Sequence, residues 1–235
     1  MLGNTTSPSD DQITTNAQHD VLDILAELYE KFYFPPFPCP LPLFLEIINI
    51  NQLRFEAASG VVELLADDDG GTETHEAGAG AAAAAAADQV LDRLAGFDPE
   101  AWALTNDSLR DDWLLIARIY QSAILLYAAC SLRAQATPAP ARAAKHRARL
   151  FELLARATSL MRAKRCMMWP LVVAGVHAAD GRPEERRWVG EELVKMCQDM
   201  GTYAPMTAKG LLERFWSSGK TEWDECFDAP YVFVA

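Results

Sequence analysis

Apolar residues recur along most of the chain at the three- and four-residue spacing of amphipathic helices, and no region is rich in strand patterns. Val21, Leu25 and Phe32 mark the first such stretch, and a run of prolines from Pro35 ends it. The pattern predicts further helices over about 43–66, 81–95, 99–102, 109–134, 142–161, 166–179, 183–200, 205–217 and a short one after 221. The sequence therefore predicts an all-α fold, an irregular domain of about 8–10 helices.

One predicted helix, residues 109–134, is apolar on more than one side. Trp113, Tyr120 and Tyr127 recur every seven residues, while Leu114 and Leu125 make the opposite side apolar as well. A helix that is apolar all round is buried by its neighbours. This segment is therefore expected to be the buried central helix of the domain.

Capping patterns predict where three helices begin. Asp98-Pro99-Glu100 combines a cap residue, a first-turn proline and an acid that matches the helix dipole. Ser108 to Asp111 and Thr221 to Asp224 both have the Ser/Thr-x-x-acid form of a capping box. These patterns predict helix starts just after 98, 108 and 221.

Polar and low-complexity stretches predict the domain organisation. Residues 1–17 are polar without periodicity and are expected to form a disordered tail. Residues 67–80 mix Asp, Gly, Thr, Glu and Ala and are expected to be a linker that feeds an alanine-rich helix. Residues 18–235 are otherwise expected to form one helical domain.

Composition and charge narrow the compartment and the partners. Half of the 235 residues are hydrophobic, but the chain shows no signal peptide and no long uncharged apolar run, so we expect a nuclear or cytoplasmic protein that is neither secreted nor in a membrane. The net charge is −12, and residues 1–109 hold 19 acidic against 3 basic residues. Because such a field repels phosphate, direct nucleic acid binding by this chain is not expected.

Cysteines and histidines offer no metal or catalytic motif. The five cysteines are irregularly spaced without a Cys-x-x-Cys pair, which predicts buried free thiols, no metal site and no cofactor. The four histidines are far apart, so the catalytic residues stay unknown. His177 is the one candidate, because it lies in an apolar helix where a neutral imidazole could bind a ligand or serve as acid or base.

Aromatic residues supply the other ligand-binding candidates. Rings between helices can line a small-molecule pocket, and core packing is the competing interpretation for most of them. With His177, the candidates are Trp113, Tyr120, Tyr127, Trp169, Tyr203 and Trp216. Basic residues concentrated between 142 and 165 are expected to form a solvated helix face, with pairing to other parts of the chain as the alternative.

A family resemblance joins several of these features. The run Met167-Met-Trp-Pro-Leu-Val-Val-Ala-Gly175, then Arg186-Arg187, Leu211-Leu212, Trp216 and Trp223, resembles the C-terminal part of the fungal-specific transcription factor domain. In that family a Trp-Pro helix followed by a glycine packs against a helix introduced by an arginine. The resemblance implies an all-helical regulatory region of a zinc-cluster transcription factor. The six-cysteine zinc cluster of such factors has no counterpart in this sequence, so the chain is either a fragment or a domain that works alone.

Two functions follow as hypotheses. The first is a regulatory domain that senses a metabolite or a protein partner and has no DNA-binding module of its own. The alternative is a stand-alone small-molecule-binding protein or a cofactor-independent enzyme of fungal secondary metabolism that uses a helical aromatic pocket, since a pocket that only orients a substrate needs no catalytic triad. The oligomeric state stays open in both.

Overall fold

Helices account for nearly all regular structure in the part of the chain that the computed structural model describes, namely residues 39–59, 72–105, 109–132, 140–229, 231 and 233. No strand occurs within those ranges, which confirms the all-α prediction. The predicted tail, the predicted first helix, the Ser108 cap and residues 67–71 of the predicted linker lie outside the described residues.

The described part of the chain contains nine α-helices and one 3-10 helix. In chain order they are α1 (Leu41–Ser59), α2 (Thr72–Gly96), α3 (Pro99–Ala103), α4 (Arg110–Ser131), α5 (Pro140–Ala157), α6 (Met161–Lys164), α7 (Met168–His177), α8 (Pro183–Met200), α9 (Ala204–Ser218) and a closing 3-10 helix (Trp223–Glu225).

Helix α4 lies at the centre, as the apolar pattern predicts. It packs against α1, α2, α3, α5, α7 and the closing 3-10 helix, and 13 of its 22 residues are buried. The helix is long and apolar enough to cross a membrane by length and composition alone, but 72% of that apolar window is buried inside the domain. Its apolar surface is therefore used by the core of this fold.

Local sequence signals explain several helix ends. The Asp98 carboxylate accepts hydrogen bonds from the backbone N–H groups of Glu100 and Ala101 at 2.9 and 3.0 Å, and Pro99 opens α3, which confirms that cap. Helix α8 also opens on a proline, Pro183, and ends where Gly201 adopts φ 65°, the left-handed conformation that glycine tolerates best.

Two local predictions are corrected. Residues 72–80, predicted as linker, form the first part of α2, because the adjoining alanine run extends a helix readily once it has begun. The last capping box is built by Glu222 and Glu225 rather than by Thr221, because the 3-10 helix starts one residue later than predicted.

Gly175 marks the closest approach between α7 and α9. A Cβ atom at this position would lie 2.4 Å from Cδ1 of Leu212, a fully buried side chain. Gly175 therefore lets α7 approach α9 closely.

Substitutions at two helical glycines are expected to change stability in opposite directions. Gly175→Ala should lower the free energy of unfolding by about 1–3 kcal/mol, because the buried Leu212 must shift to make room. Gly210→Ala, on α9, should raise it by about 0.5–1 kcal/mol, because a Cβ there meets nothing within 4 Å and alanine favours the helix. Urea unfolding followed by circular dichroism measures both. Equal shifts in the same direction would contradict this packing.

Candidate functional site

Three of the seven candidate residues meet in the core. Tyr120 and Tyr127 on α4 and Trp169 on α7 are all buried. The Tyr120 and Trp169 rings are stacked with centroids 6.3 Å apart, and Tyr127 meets Trp169 edge-on at 5.8 Å. Trp223 of the 3-10 helix adds a fourth ring, 4.8 Å from Tyr127. We refer to these four residues as the aromatic cluster.

A chain of buried polar groups runs along one side of the aromatic cluster. Arg54 on α1 donates a hydrogen bond to the Tyr127 hydroxyl at 2.6 Å, and that hydroxyl donates to the Asn51 side-chain oxygen at 2.5 Å. The same guanidinium pairs with Asp224 and lies 5.7 Å from the centroid of the Tyr127 ring. We refer to Asn51, Arg54, Tyr127 and Asp224 as the buried polar chain.

Burial keeps Tyr127 protonated at ordinary pH. Burial raises the pKa of Tyr127, while the charge and hydrogen bond of Arg54 lower it by less. The arginine charge is balanced by Asp224, whose side chain is 40% exposed and so reaches water from the core. The ion pair of Arg54 with Asp224 therefore links α1 to the closing 3-10 helix.

Two indole N–H groups in the aromatic cluster have no hydrogen-bond acceptor within the described part of the chain. These are Nε1 of Trp169 and Nε1 of Trp223, both inaccessible to solvent. A buried donor without an acceptor costs free energy, in the range of about 1–3 kcal/mol. The indole rings therefore stabilise the core through their apolar area and not through their polar atoms.

His177 lies at another contact between α4 and α7. Its Nε2 atom is 3.1 Å from the Cys130 sulfur and 3.1 Å from the Leu126 carbonyl oxygen. A proton on Nε2 can be shared between the carbonyl and the sulfur, so the half-buried imidazole can cross-link the two helices. That geometry supports a structural role for His177 in the described core.

The remaining candidates lie apart from the aromatic cluster. Trp113 meets Trp102 edge-on with ring centroids 6.1 Å apart, which joins α4 to α3. Tyr203 is 75% exposed in the turn between α8 and α9. Trp216, on α9, is half-buried and donates from Nε1 to the Gly175 carbonyl oxygen at 2.8 Å. The structure therefore gathers three of the seven candidates and distributes the others.

Trp216 borders an open groove between α8 and α9, which we call the α8–α9 groove. Its volume is about 780 Å³. Its lining residues are Arg186, Arg187, Gly190, Glu191, Val194, Lys195, Lys209, Glu213, Trp216 and Ser217. The groove combines basic side chains with the edge of an indole ring held in place by its own hydrogen bond.

The basic stretch between 142 and 165 forms ion pairs with carboxylates of the same half of the chain. Arg147 pairs with both Glu185 and Asp180, and Lys164 pairs with Asp199. These contacts fasten α5 and the segment after it to α8. Pairing within the chain therefore accounts for part of this charge.

Acid is expected to weaken the Arg147–Glu185 contact. Burial raises the pKa of Glu185, but the hydrogen bond and charge of Arg147 lower it by more, so folding holds this pKa below its ordinary value. A carboxyl group whose pKa is depressed by folding contributes stability above its unfolded pKa, and that stability is lost as pH falls through the folded pKa. Melting temperatures of wild type and Glu185→Gln should therefore differ at neutral pH and converge as pH falls through the depressed pKa of Glu185. The matched control is Glu184→Gln at an exposed neighbour; an equal pH-dependent gap there would contradict the assignment.

Comparison with known proteins gives one family and one relative. A family model described as the fungal specific transcription factor domain matches residues 1–229. A phomenoic acid biosynthesis cluster-specific transcriptional regulator from Leptosphaeria maculans is 31% identical over 243 aligned residues, which cover the whole chain and 43% of that protein. The chain thus spans less than half the length of this relative. No solved structure matches it.

Proposed function

Because the chain belongs to the fungal specific transcription factor domain family, we propose that it is a regulatory domain that senses a small metabolite or a protein partner and adjusts the transcription of biosynthetic genes. The observation that carries this proposal is the family match over residues 1–229. The relative is itself named as a regulator specific to one biosynthetic cluster, which supports a role in fungal secondary metabolism.

The negative net charge and the packing of the helices support a function in which a separate module binds DNA. The net charge of −12 disfavours contact with phosphates, while the helices around α4 form a core onto which α8 and α9 pack. We infer that the domain acts in the nucleus through a DNA-binding module other than its described helices. The alternative of a cofactor-independent enzyme stays a prediction.

A reporter experiment tests the regulatory role. The full chain is fused to the zinc-cluster DNA-binding domain of an unrelated regulator, and transcription from that domain's operator is compared with the DNA-binding domain alone. We expect the fusion to change reporter output, and Trp169→Ala, which damages the core, to remove the change. Equal output from the fusion, the DNA-binding domain alone and the Trp169→Ala fusion, with all three expressed at similar levels, would refute the proposal.

The isolated chain is expected not to bind duplex DNA specifically at physiological salt. Specific binding needs a reading element together with basic residues that neutralise phosphates, and the net charge of −12 opposes that neutralisation. A gel-shift titration with promoter DNA of the genes that neighbour its own gene measures this. Sequence-dependent binding below about micromolar concentration would contradict it.

A further inference from the structure

We propose that the α8–α9 groove binds a small amphipathic carboxylic acid, with the acid group at Arg186 and Arg187 and the apolar body along Val194 and Trp216. The inference rests on the proposed function, because it names the chemical class of the sensed metabolite. Three features of the groove carry it, namely its excess of positive charge, its fixed apolar wall and its size.

Some basic side chains of the groove pair with carboxylates and others do not, within the described part of the chain. Four basic and two acidic side chains line it. Lys209 pairs with Glu213 at 2.5 Å, and Lys195 pairs with Glu192 on the same helix at 2.7 Å. Within the described part of the chain, Arg186 and Arg187 have no ion-pair partner. Guanidinium groups bind carboxylates through paired, charge-assisted hydrogen bonds, so this end of the groove suits an acid group.

The apolar wall of the groove is held in position before any ligand arrives. The Trp216 indole cannot rotate freely, because its N–H donates to the Gly175 carbonyl oxygen at 2.8 Å. Gly190 leaves the middle of the groove open, since a Cβ there would meet only the Lys209 side chain, at 3.7 Å. A preformed wall lowers the entropic cost of binding.

The volume of the groove and its two acidic lining residues limit the class of ligand that it can bind. A volume of about 780 Å³ lies within the range of small-molecule sites, about 300–1,000 Å³. Glu191 and Glu213 also line the groove, and their charges disfavour a ligand with several negative charges such as a polyphosphate. One carboxylate joined to an apolar body satisfies both the arginines and the indole wall.

Calorimetric titration of the full chain with dodecanoate, kept below its micelle concentration, tests the proposal. Dodecanol and dodecyltrimethylammonium share the apolar body and replace the acid with a neutral or a positive group. We expect dodecanoate to bind about tenfold more tightly than either one. We expect the double substitution Arg186→Gln/Arg187→Gln to remove that preference. Equal affinity for all three compounds, or no binding of dodecanoate, would overturn the proposal.

A matched pair of glycine substitutions tests the location. Gly190→Leu fills the groove, whereas Gly210→Leu places the same side chain on α9, at a position that does not line the groove and where a Cβ meets nothing within 4 Å. We expect Gly190→Leu to abolish dodecanoate binding while Gly210→Leu binds like wild type. If Gly190→Leu instead leaves binding intact while both variants keep the wild-type melting temperature, the site is not this groove.

The same variants separate this proposal from the regulatory role. Failure of dodecanoate to bind, together with a Gly190→Leu fusion whose reporter output differs from wild type, would assign the groove to a protein partner and overturn only the ligand class. A wild-type fusion without reporter activity would remove the regulatory role, even where dodecanoate binds at Arg186 and Arg187.

Discussion

Replacing Trp169 with alanine is expected to lower the free energy of unfolding by about 3–5 kcal/mol. The side chain is 4% exposed and contacts the rings of Tyr120 and Tyr127, so its removal leaves a cavity between α4 and α7 that a helical core fills only in part. Urea unfolding followed by circular dichroism measures the loss. Because Trp169 does not line the α8–α9 groove, the loss should appear in the unliganded protein.

Two control variants test whether the loss comes from the buried ring of Trp169. Trp169→Phe keeps most of the ring and removes the Nε1 donor that has no acceptor among the described residues, so it should cost less than Trp169→Ala. Trp113→Ala removes an indole that is only half-buried and should also cost less. If Trp169→Ala melts like wild type, the aromatic cluster is not the centre of the core.

Removal of Asp224 is expected to have the second-largest effect. Asp224→Ala takes the Asp224 carboxylate away from the Arg54 guanidinium, which is 1% exposed. Breaking a buried pair costs about 3–5 kcal/mol, and because Asp224 is itself 40% exposed we expect about 2–3 kcal/mol here. Chemical unfolding of wild type and variant gives the value.

A double-mutant cycle measures the interaction energy between Arg54 and Asp224 apart from the cost of each single substitution. Arg54→Met combined with Asp224→Ala removes both charges and keeps an apolar stem in the core, so the double variant should be more stable than Asp224→Ala. Asp224→Asn serves as a matched variant that keeps the shape of the side chain and removes its negative charge. A double variant as unstable as the sum of the two single variants would show that Arg54 and Asp224 do not interact energetically.

Helical periodicity and proline or glycine breaks were sufficient to predict the fold class. The apolar pattern over 109–134 predicted a buried central helix, and α4 spans Arg110–Ser131 at that place. The Asp98 cap was predictable because its donors lie two and three residues away, so the whole interaction is local in sequence. Elements whose boundaries depend on local chemistry are the ones that sequence patterns predict well.

The buried polar chain was not predictable by the same means. Arg54 and Asn51 lie in an apolar helix, where the pattern alone suggests an exposed position for both. Their burial depends on Tyr127 and Asp224, which are 73 and 170 residues away from Arg54. The local sequence offered one signal: Arg54 stands directly between two apolar residues, Leu53 and Phe55. A charged residue in such a position suggests a partner in the core.

The candidate aromatic residues show the same division between local and long-range information. Spacing placed Tyr120 and Tyr127 on one side of α4, where both meet Trp169. Composition could not show that Tyr203 would lie exposed in a turn or that Trp216 would border a groove, because both outcomes depend on how α8 and α9 pack. Whether any of the seven binds a ligand stays a prediction.

The contact between Arg54 and Asp224 also orders events during synthesis. Translation produces α1 well before residue 224, because 170 positions separate Arg54 from Asp224. Until residues 223 and 224 leave the ribosome, Arg54 cannot pair with Asp224 and the apolar surfaces that Trp223 covers face water. A chain truncated before residue 223 would therefore fail to close its core, and such a product is a substrate for chaperones and proteases.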